Sequence, residues 1–437
     1  RGVKEWQINA IEASPHNAGS AYVAVTGYKM NNFEPHIYRT DNFGKSWKKI
    51  VKGLPEDTFV RVVREDTKIK GLLYAGTETG LFISFDNGDN WQEFQADLPE
   101  TPITDLRVAH GDLIAATQGR GFWILDDVQP IREMADLGTE DNHLFSVRDT
   151  YRLLSGSTLG GGSGKNPPNG AIFNYHLAKD IAEDAVVKFE IFDDAGGLVK
   201  SYSSDANKLC KEDPYSSAKP IPPGTKSGIN LFVWNLKTEP LPCNPGLIHA
   251  PRSGTYTVAP GEYSVKMTVG DYSSEQSFNV LASPDLSVAA DFSDYEAITA
   301  KLHTAANEMI GNVKAVGAIE KQINVIKDVS NSDLANEEAD KLMNALQGWH
   351  AKIINTKLQT FQDIIRYPNK MALNFSFLLE DINGASIPIN KGMSEVADRY
   401  MSEWAEAKAE YEALISNNVG AFNAKMKEAG LPDIYIP

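Results

Sequence analysis

Ser84-Phe85-Asp86-Asn87-Gly88-Asp89-Asn90-Trp91 decides how this chain folds, because it recurs upstream as Thr40-Asp41-Asn42-Phe43-Gly44-Lys45-Ser46-Trp47. The two copies stand 84 − 40 = 44 residues apart. A period of roughly 40–50 residues marks a repeat architecture whose unit holds four short strands. The chemistry of the motif is local. Ser84 or Thr40, with Asp86, accepts backbone N–H groups inside a tight turn. Gly88 or Gly44 supplies a positive φ, and Trp91 or Trp47 folds back as an apolar plug. Asn42 stands where the second copy has Asp86, so the first copy is the weaker one.

Working outward from the turns, short alternating runs predict strands. The first unit reads as Ile8–Ala13, Ala21–Thr26, His36–Thr40 and Trp47–Val51. The second reads as Val60–Arg64, Leu72–Gly76, Leu81–Phe85 and Trp91–Phe94, and the third as Ile103–Val108, Asp112–Ala116 and Phe122–Leu125. Apolar residues at every second position between turn signals favour strands over helices. Leu54-Pro55 and Leu98-Pro99 mark matching links. In the third unit Asp126-Asp127-Val128-Gln129-Pro130 replaces the repeated turn. The fold class is therefore multidomain and begins with about three blades of a β-propeller in residues 1–146. Three blades cannot close a ring that takes four to eight. The remaining blades are expected from a preceding segment or another chain, so the sequence reads as the C-terminal part of a larger protein.

A Gly-, Ser- and Pro-rich loop, Gly156 to Gly170, follows. Runs at Ala171–His176, Ala185–Phe192, Ile229–Asn235, Gly261–Val269 and Ser277–Leu281 predict an immunoglobulin-like β-sandwich over 147–283. Cys210 and Cys243 bracket a Pro- and Ser-rich stretch within it; a disulfide there suits an oxidising compartment, and the alternative is two unpaired thiols. From Phe292 the period changes. Tyr295, Ile298, Leu302, Ala305, Met309, Val313, Val316, Ile319, Ile323 and Ile326 are spaced by three or four. Further helices are predicted over Asp333–Leu358, Lys370–Asp381 and Ser394–Ile415, the last opened by Ser394, giving an antiparallel bundle over 284–437. After Pro284, 22 acids stand against 14 Lys and Arg, a net −8 that reads as a solvated face.

The 437 residues carry 42% hydrophobic and 23% charged side chains, which suits soluble globular domains, and no apolar run is long enough to span a membrane. A net charge of −16 argues against nucleic acid as a partner. No cofactor or metal site is read: the eight histidines form no H-E-x-x-H pair, and Gly160–Lys165 lacks the first Gly and final Ser or Thr of a phosphate loop. Glycosidase chemistry needs two carboxylates about 5–10 Å apart. Asp126, Asp127, Glu65, Asp66 and Glu78 lie near blade loops, but no catalytic residue is assigned among them. Arg39, Arg61, Arg107 and Arg120 spell no arginine triad. Gly119-Arg120-Gly121-Phe122-Trp123 offers Arg120 and Trp123 as a candidate ligand surface.

The layout Ser/Thr-x-Asp-x-Gly-x-x-Trp resembles the Asp-box, or BNR, repeat of sialidase-like and sortilin-like propellers. Ala115-Ala116-Thr117-Gln118-Gly119-Arg120-Gly121-Phe122-Trp123-Ile124-Leu125-Asp126-Asp127 resembles the closing blade of large secreted Bacteroidetes-type proteins labelled BNR-repeat glycosyl hydrolase. Asn166-Pro167-Pro168-Asn169-Gly170-Ala171 is similar to the start of the sandwich that follows there, and Tyr256 to Val269 to its later strands. The resemblance implies a secreted, periplasmic or cell-surface protein with a signal peptide upstream. It carries over no catalytic residue. The function expected is an extracytoplasmic binding or scaffold protein for a peptide, protein or glycan ligand. The rival is a glycoside hydrolase whose carboxylates lie mainly in the missing blades, and a third reading is a subunit of a larger surface or secretion assembly.

Overall fold

The computed structural model describes residues 6–134, 137, 141–153, 166–182, 185–205, 221–242, 254–284, 291–330, 332–358, 360–385 and 387–436. Cys210, Cys243 and the Gly160–Lys165 loop lie outside them. The chain forms two compact units, one of residues 1–146 with 174–178 and one of 147–173 with 179–437.

The first unit contains three antiparallel meanders in chain order. The first is β1 (Gln7–Ala13), β2 (Ala21–Thr26), β3 (Ile37–Thr40) and β4 (Lys48–Lys49). The second is β5 (Val60–Glu65), β6 (Leu73–Thr77), β7 (Leu81–Ser84) and β8 (Gln92–Glu93). The third, β9 (Ile103–Ala109), β10 (Asp112–Thr117) and β11 (Phe122–Leu125), has three strands. The outer strands β4 and β8 are two residues each, shorter at both ends than their periodicity suggested, with Trp47 and Trp91 standing just before them. Instead of a fourth strand the third sheet is followed by α1 (Gln129–Met134), then β12 (His143–Leu144), which pairs with Tyr175 and His176.

The three sheets share one irregularity: the first strand of each slips register by one residue, with Asn9, Arg61 and Thr104 as the extra residues. Counting from that bulge aligns the rungs. One residue on lie Ala10–Ala24–Ile37, Val62–Gly76–Leu81 and Asp105–Ala116–Phe122. Three residues on lie Glu12–Tyr22–Arg39, Arg64–Tyr74–Ile83 and Arg107–Ile114–Ile124. A bulge bends and twists a strand locally, so repeating it gives three sheets of the same curvature.

Packing runs from sheet to sheet. Tyr22, Ala24, Ile37 and Ile50 of the first meet Val63, Leu73, Ala75 and Phe82 of the second in one core. Val62, Tyr74, Leu81 and Ile83 of the second meet Ile103, Leu106, Leu113 and Ala115 of the third in another. The stack stops at both ends. Two residues after the bulge, Val63 and Leu106 are 0% and 1% exposed, whereas Ile11 in the first sheet is 66% exposed. On the opposite face Ile37 and Leu81 are 0% and 6% exposed, whereas Phe122 in the third sheet is 79% exposed.

The repeated turns are built by their own side chains. Ser84 Oγ accepts the Gly88 N–H at 2.9 Å and Asp86 Oδ1 accepts the Asn90 N–H at 2.8 Å. In the other copy Thr40 Oγ1 accepts the Gly44 N–H at 3.0 Å and Asn42 Oδ1 the Ser46 N–H at 3.0 Å, so Asn42 makes the bond that Asp86 makes. The tryptophans differ. Trp91 is buried, its Nε1 donating to the Ile50 carbonyl at 3.0 Å and its backbone N–H to the Lys52 carbonyl, both in the link leaving the first sheet. Trp47 meets no such link from a preceding sheet among the described residues and is 44% exposed.

In the second unit β13 (Thr150–Arg152), β15 (Val187–Asp193), β16 (Leu198–Ser203), β18 (Gly261–Val269) and β19 (Tyr272–Ala282) form a five-stranded sheet ordered β13-β19-β18-β15-β16. It is antiparallel except that β13 runs parallel to β19. The opening residues of β14 (Ala171–Leu177) neighbour β17 (Gly228–Trp234) in a second sheet. Phe173, Phe189, Phe232, Trp234, Tyr263 and Phe278 fill the space between, with Phe189 and Phe232 stacked at 5.4 Å. β16 escaped the strand reading because Leu198–Ser203 has no fully buried position to create an alternation.

α2 (Ser293–Val329), α3 (Asp333–Ile353), α4 (Met371–Asn383), α5 (Lys391–Ala413) and α6 (Gly420–Glu428) follow, with a π-helical turn at Leu414–Val419 joining the last two. The spaced apolar residues of α2 from Tyr295 to Ile326 are buried, Ile298 only partly. α5 starts earlier than Ser394: Asn390 caps it by accepting the Met393 N–H at 3.0 Å, satisfying an end donor that Ser394, already inside the helix, cannot reach. No break between compact units falls near residue 284. The Arg152 guanidinium lies 4.2 Å from the centre of the Tyr295 ring, and Tyr295 Oη donates to the Thr257 carbonyl at 2.6 Å.

Trp91→Ala is expected to cost about 3–5 kcal/mol of unfolding free energy, the range for a buried large-to-small change. Trp47→Ala should cost under about 1 kcal/mol. Denaturant melts of the two variants check the difference.

Candidate functional site

Strand direction sorts the connections of the first unit into two groups. The β2–β3, β6–β7 and β10–β11 loops and the links into β5 and β9 lie at one end of the sheets. The β1–β2, β5–β6 and β9–β10 loops, the repeated turns and α1 lie at the other. Loops on a rigid scaffold are where binding groups concentrate.

At the first end the β2–β3 connection is the longest of its kind and holds a short 3-10 turn, Tyr28–Met30. Tyr28 stacks on Phe59 at 4.9 Å with 15° between the planes, and Phe33 approaches the same ring at 6.4 Å. The Arg61 guanidinium lies 5.2 Å from the Phe59 ring centre and its Nε donates to Glu78 Oε2 at 2.7 Å. Arg61 is the bulge residue of β5, and a bulge re-aims the side chain it carries. Tyr28, Met30 and Phe33 stay exposed around this cluster, and a shallow cleft lies beside it, lined by Gln7, Thr26, Gly27, Tyr28, Lys29 and Met30.

The β10–β11 hairpin at the same end carries Arg120 and Trp123. Thr117 Oγ1 donates to the Gly121 carbonyl at 2.7 Å, and Gly119 and Gly121 adopt φ of 93° and 71°. Trp123 Nε1 donates to the Arg120 carbonyl at 3.1 Å, which fixes the indole against the turn while the Arg120 side chain stays in solvent. The structure thus puts Arg120 and Trp123 at the same end of the sheets as Tyr28, Phe33, Arg61 and Glu78. Tyr28, Phe33 and Phe59 escaped the sequence reading; the available signal was the stretch between β2 and β3, far longer than the Glu78–Gly80 turn of the second sheet.

The carboxylates singled out from sequence do not converge. Glu78 is held by Arg61. Glu65 and Asp66 are buried toward the opposite end, where Glu65 Oε1 accepts the Gly71 N–H at 2.9 Å. Asp66 Oδ1 accepts the Lys68 and Ile69 N–H groups at 2.8 and 2.9 Å, and its carboxylate pairs with the buried Arg132 at 3.1 Å. Asp126 and Asp127 follow β11 at that end, and Asp127 Oδ1 accepts the Gln129 N–H at the start of α1. The arginines are likewise dispersed. Arg39 is engaged by Asp41 and the Asn87 carbonyl near the repeated turns, and Arg107 sits within β9. Among the described residues no three His, Cys, Asp or Glu gather as metal ligands, and no helix is long and apolar enough to cross a membrane.

No protein-family model matches the chain, and no curated protein matches it. Similar solved structures include YCF48 bound to D1 peptide, at 11% identity and TM-score 0.22, covering 47% of this chain and 56% of that one. The extracellular domain of a hybrid two-component system from B. thetaiotaomicron matches at 11% identity and TM-score 0.22, over 63% of this chain and 31% of that one. The GH74 xyloglucanase from Xanthomonas campestris matches at 12% identity and TM-score 0.21, over 61% and 38%. The match spans little more than half of the first chain and about a third of the other two.

His36 anchors the long loop from below. It is buried, stacks on Trp6 at 4.2 Å, and its Nε2 donates to Asn32 Oδ1 at 2.9 Å while its buried Nδ1 has no partner for a second proton among the described residues, an arrangement that suits the neutral ring. Burial first, and the nearby Lys49 charge second, lower its pKa from 6.5 to about 4, against an opposing effect of Glu34. The unfolded chain takes up this proton near 6.5, so between about 6.5 and about 4 it binds more protons than the folded chain. Stability is therefore lost as pH falls through that window. We expect the protection factors of the amides in residues 27–36, each rate taken against the intrinsic rate at the same pH, to fall on acidification from neutral pH toward 4, and His36→Phe to flatten that dependence.

Proposed function

We propose that the first unit is a segment of a β-propeller with Asp-box turns, and that the protein is an extracytoplasmic binding or scaffold protein whose ligand, a peptide or glycan chain, meets the loop end carrying Tyr28, Phe33, Arg61, Arg120 and Trp123. The observation carrying this reading is the paired exposure of Ile11 and Phe122. At both ends of the stack the position that is buried between neighbouring sheets lies open, as happens where further blades are to be packed. The exposed Tyr28, Met30 and Phe33 beside Arg61, with Arg120 at the same end of the sheets, supply apolar surface and cations, a composition suited to holding a chain molecule. A binding role is favoured over hydrolysis by the separation of the carboxylates: Glu78 is neutralised by Arg61, and Glu65 and Asp66 are committed to backbone and Arg132 at the other end. The Cys210–Cys243 bond, the upstream signal peptide and the sandwich and bundle that follow in the chain belong to the same proposal.

Peptide and glycan arrays probed with the protein test it. Arg61→Ala and Tyr28→Ala are expected to weaken the selected ligand about tenfold or more, as truncation of an anchoring residue does. Release of reducing ends from a glycan panel, abolished by Glu78→Gln, would replace binding by hydrolysis.

A further inference from the structure

We propose that Arg107 recognises a further sheet of the same repeat, docked on the open face of the third sheet, by gripping a carboxylate on that sheet's first strand. The inference rests on the propeller reading and adds what the neighbouring blade must carry.

The template is inside the molecule. Three residues after the bulge of the second sheet, Arg64 extends toward the third: its Nε donates to the Leu106 carbonyl at 2.7 Å and its Nη2 to Asp105 Oδ1 at 2.6 Å. Glu12, at the same rung of the first sheet, accepts from Arg64 Nη1 at 3.2 Å. Charge-assisted pairs of this geometry fix register between surfaces. Arg107 occupies the same rung of the third sheet, is exposed, and has no ion-pair partner among the described residues. Around it lie Ile114, Phe122 and Ile124, the last 56% exposed; the matching residues of the second sheet, Tyr74, Leu81 and Ile83, are buried under the third. The open face therefore combines an apolar patch and a cation where the covered face has an apolar patch and a paired cation. Its occupant needs an Asp or Glu one residue after its bulge and an aliphatic residue next, as Asp105 and Leu106 are placed. A second copy of this chain does not fit, because its own open face carries Ala10 at the position of Asp105.

The probe is a cyclised hairpin of Thr101–Gln118, which carries Asp105 and Leu106, titrated onto the full chain at low salt and followed by hydrogen exchange of β10–β11. Saturable protection of β11 is expected, weakened about tenfold or more by Asp105→Asn in the hairpin or Arg107→Ala in the chain, and restored by Arg107→Glu paired with an Asp105→Lys hairpin. Protection that Phe122→Asp removes but Arg107→Ala leaves unchanged overturns the role of Arg107 while keeping the open-blade reading. No protection at all overturns both. Head-to-tail association of the chain alone, insensitive to the hairpin, shows a second copy to be the occupant and overturns the proposal.

Discussion

Trp91 joins two sheets into a stack, and the order of the first unit depends on that seam. Its ring is covered by the link that leaves the preceding sheet, where it bonds the Ile50 carbonyl, and Gly53 in that link has φ of 98°. A Cβ on Gly53 would stand 2.1 Å from the Trp91 carbonyl oxygen, so the approach is available only to glycine. One sheet supplies the plug and its predecessor supplies the lid. A repeat of this kind cannot bury its own faces and needs a neighbour on each side.

That dependence explains why equivalent residues have different environments. Trp47 and Trp91 follow the same turn, and Thr40 and Ser84 make the same bonds, yet only the second tryptophan is buried. The same holds for Ile11 against Val63 and for Phe122 against Leu81. In each pair the side chain is chemically suited to burial, and what differs is whether another sheet is there.

Much of the architecture was legible because strand and helix periods survive in sequence. Val60–Arg64 and Leu81–Phe85 are apolar runs between turn signals, and their strands are buried on both faces; the three-four spacing from Tyr295 to Ile326 comes from a helix with one buried face. The readings that failed lie where that signal is absent. β16 has no fully buried position, α5 is capped by Asn390 upstream of its apolar stripe, and β13 contributes three residues to a parallel edge. At the candidate loop end Arg120 and Trp123 stand three residues apart and could be singled out together from the sequence, whereas Tyr28 reaches Phe59, the ring beside Arg61, only through the packing of the first and second sheets.

By itself the sequence determined the local geometry: the two turns 44 residues apart, the strands between them, and the helical period of the C-terminal region. These follow from φ preferences, side-chain–backbone bonds and hydrophobic period, all of which act over a few residues. Only the tertiary structure decided which tryptophan is a plug, which carboxylates are committed, and that Arg64 is paired where Arg107 is not. Those outcomes depend on desolvation and charge pairing between groups that stand 17 to 66 positions apart in the chain.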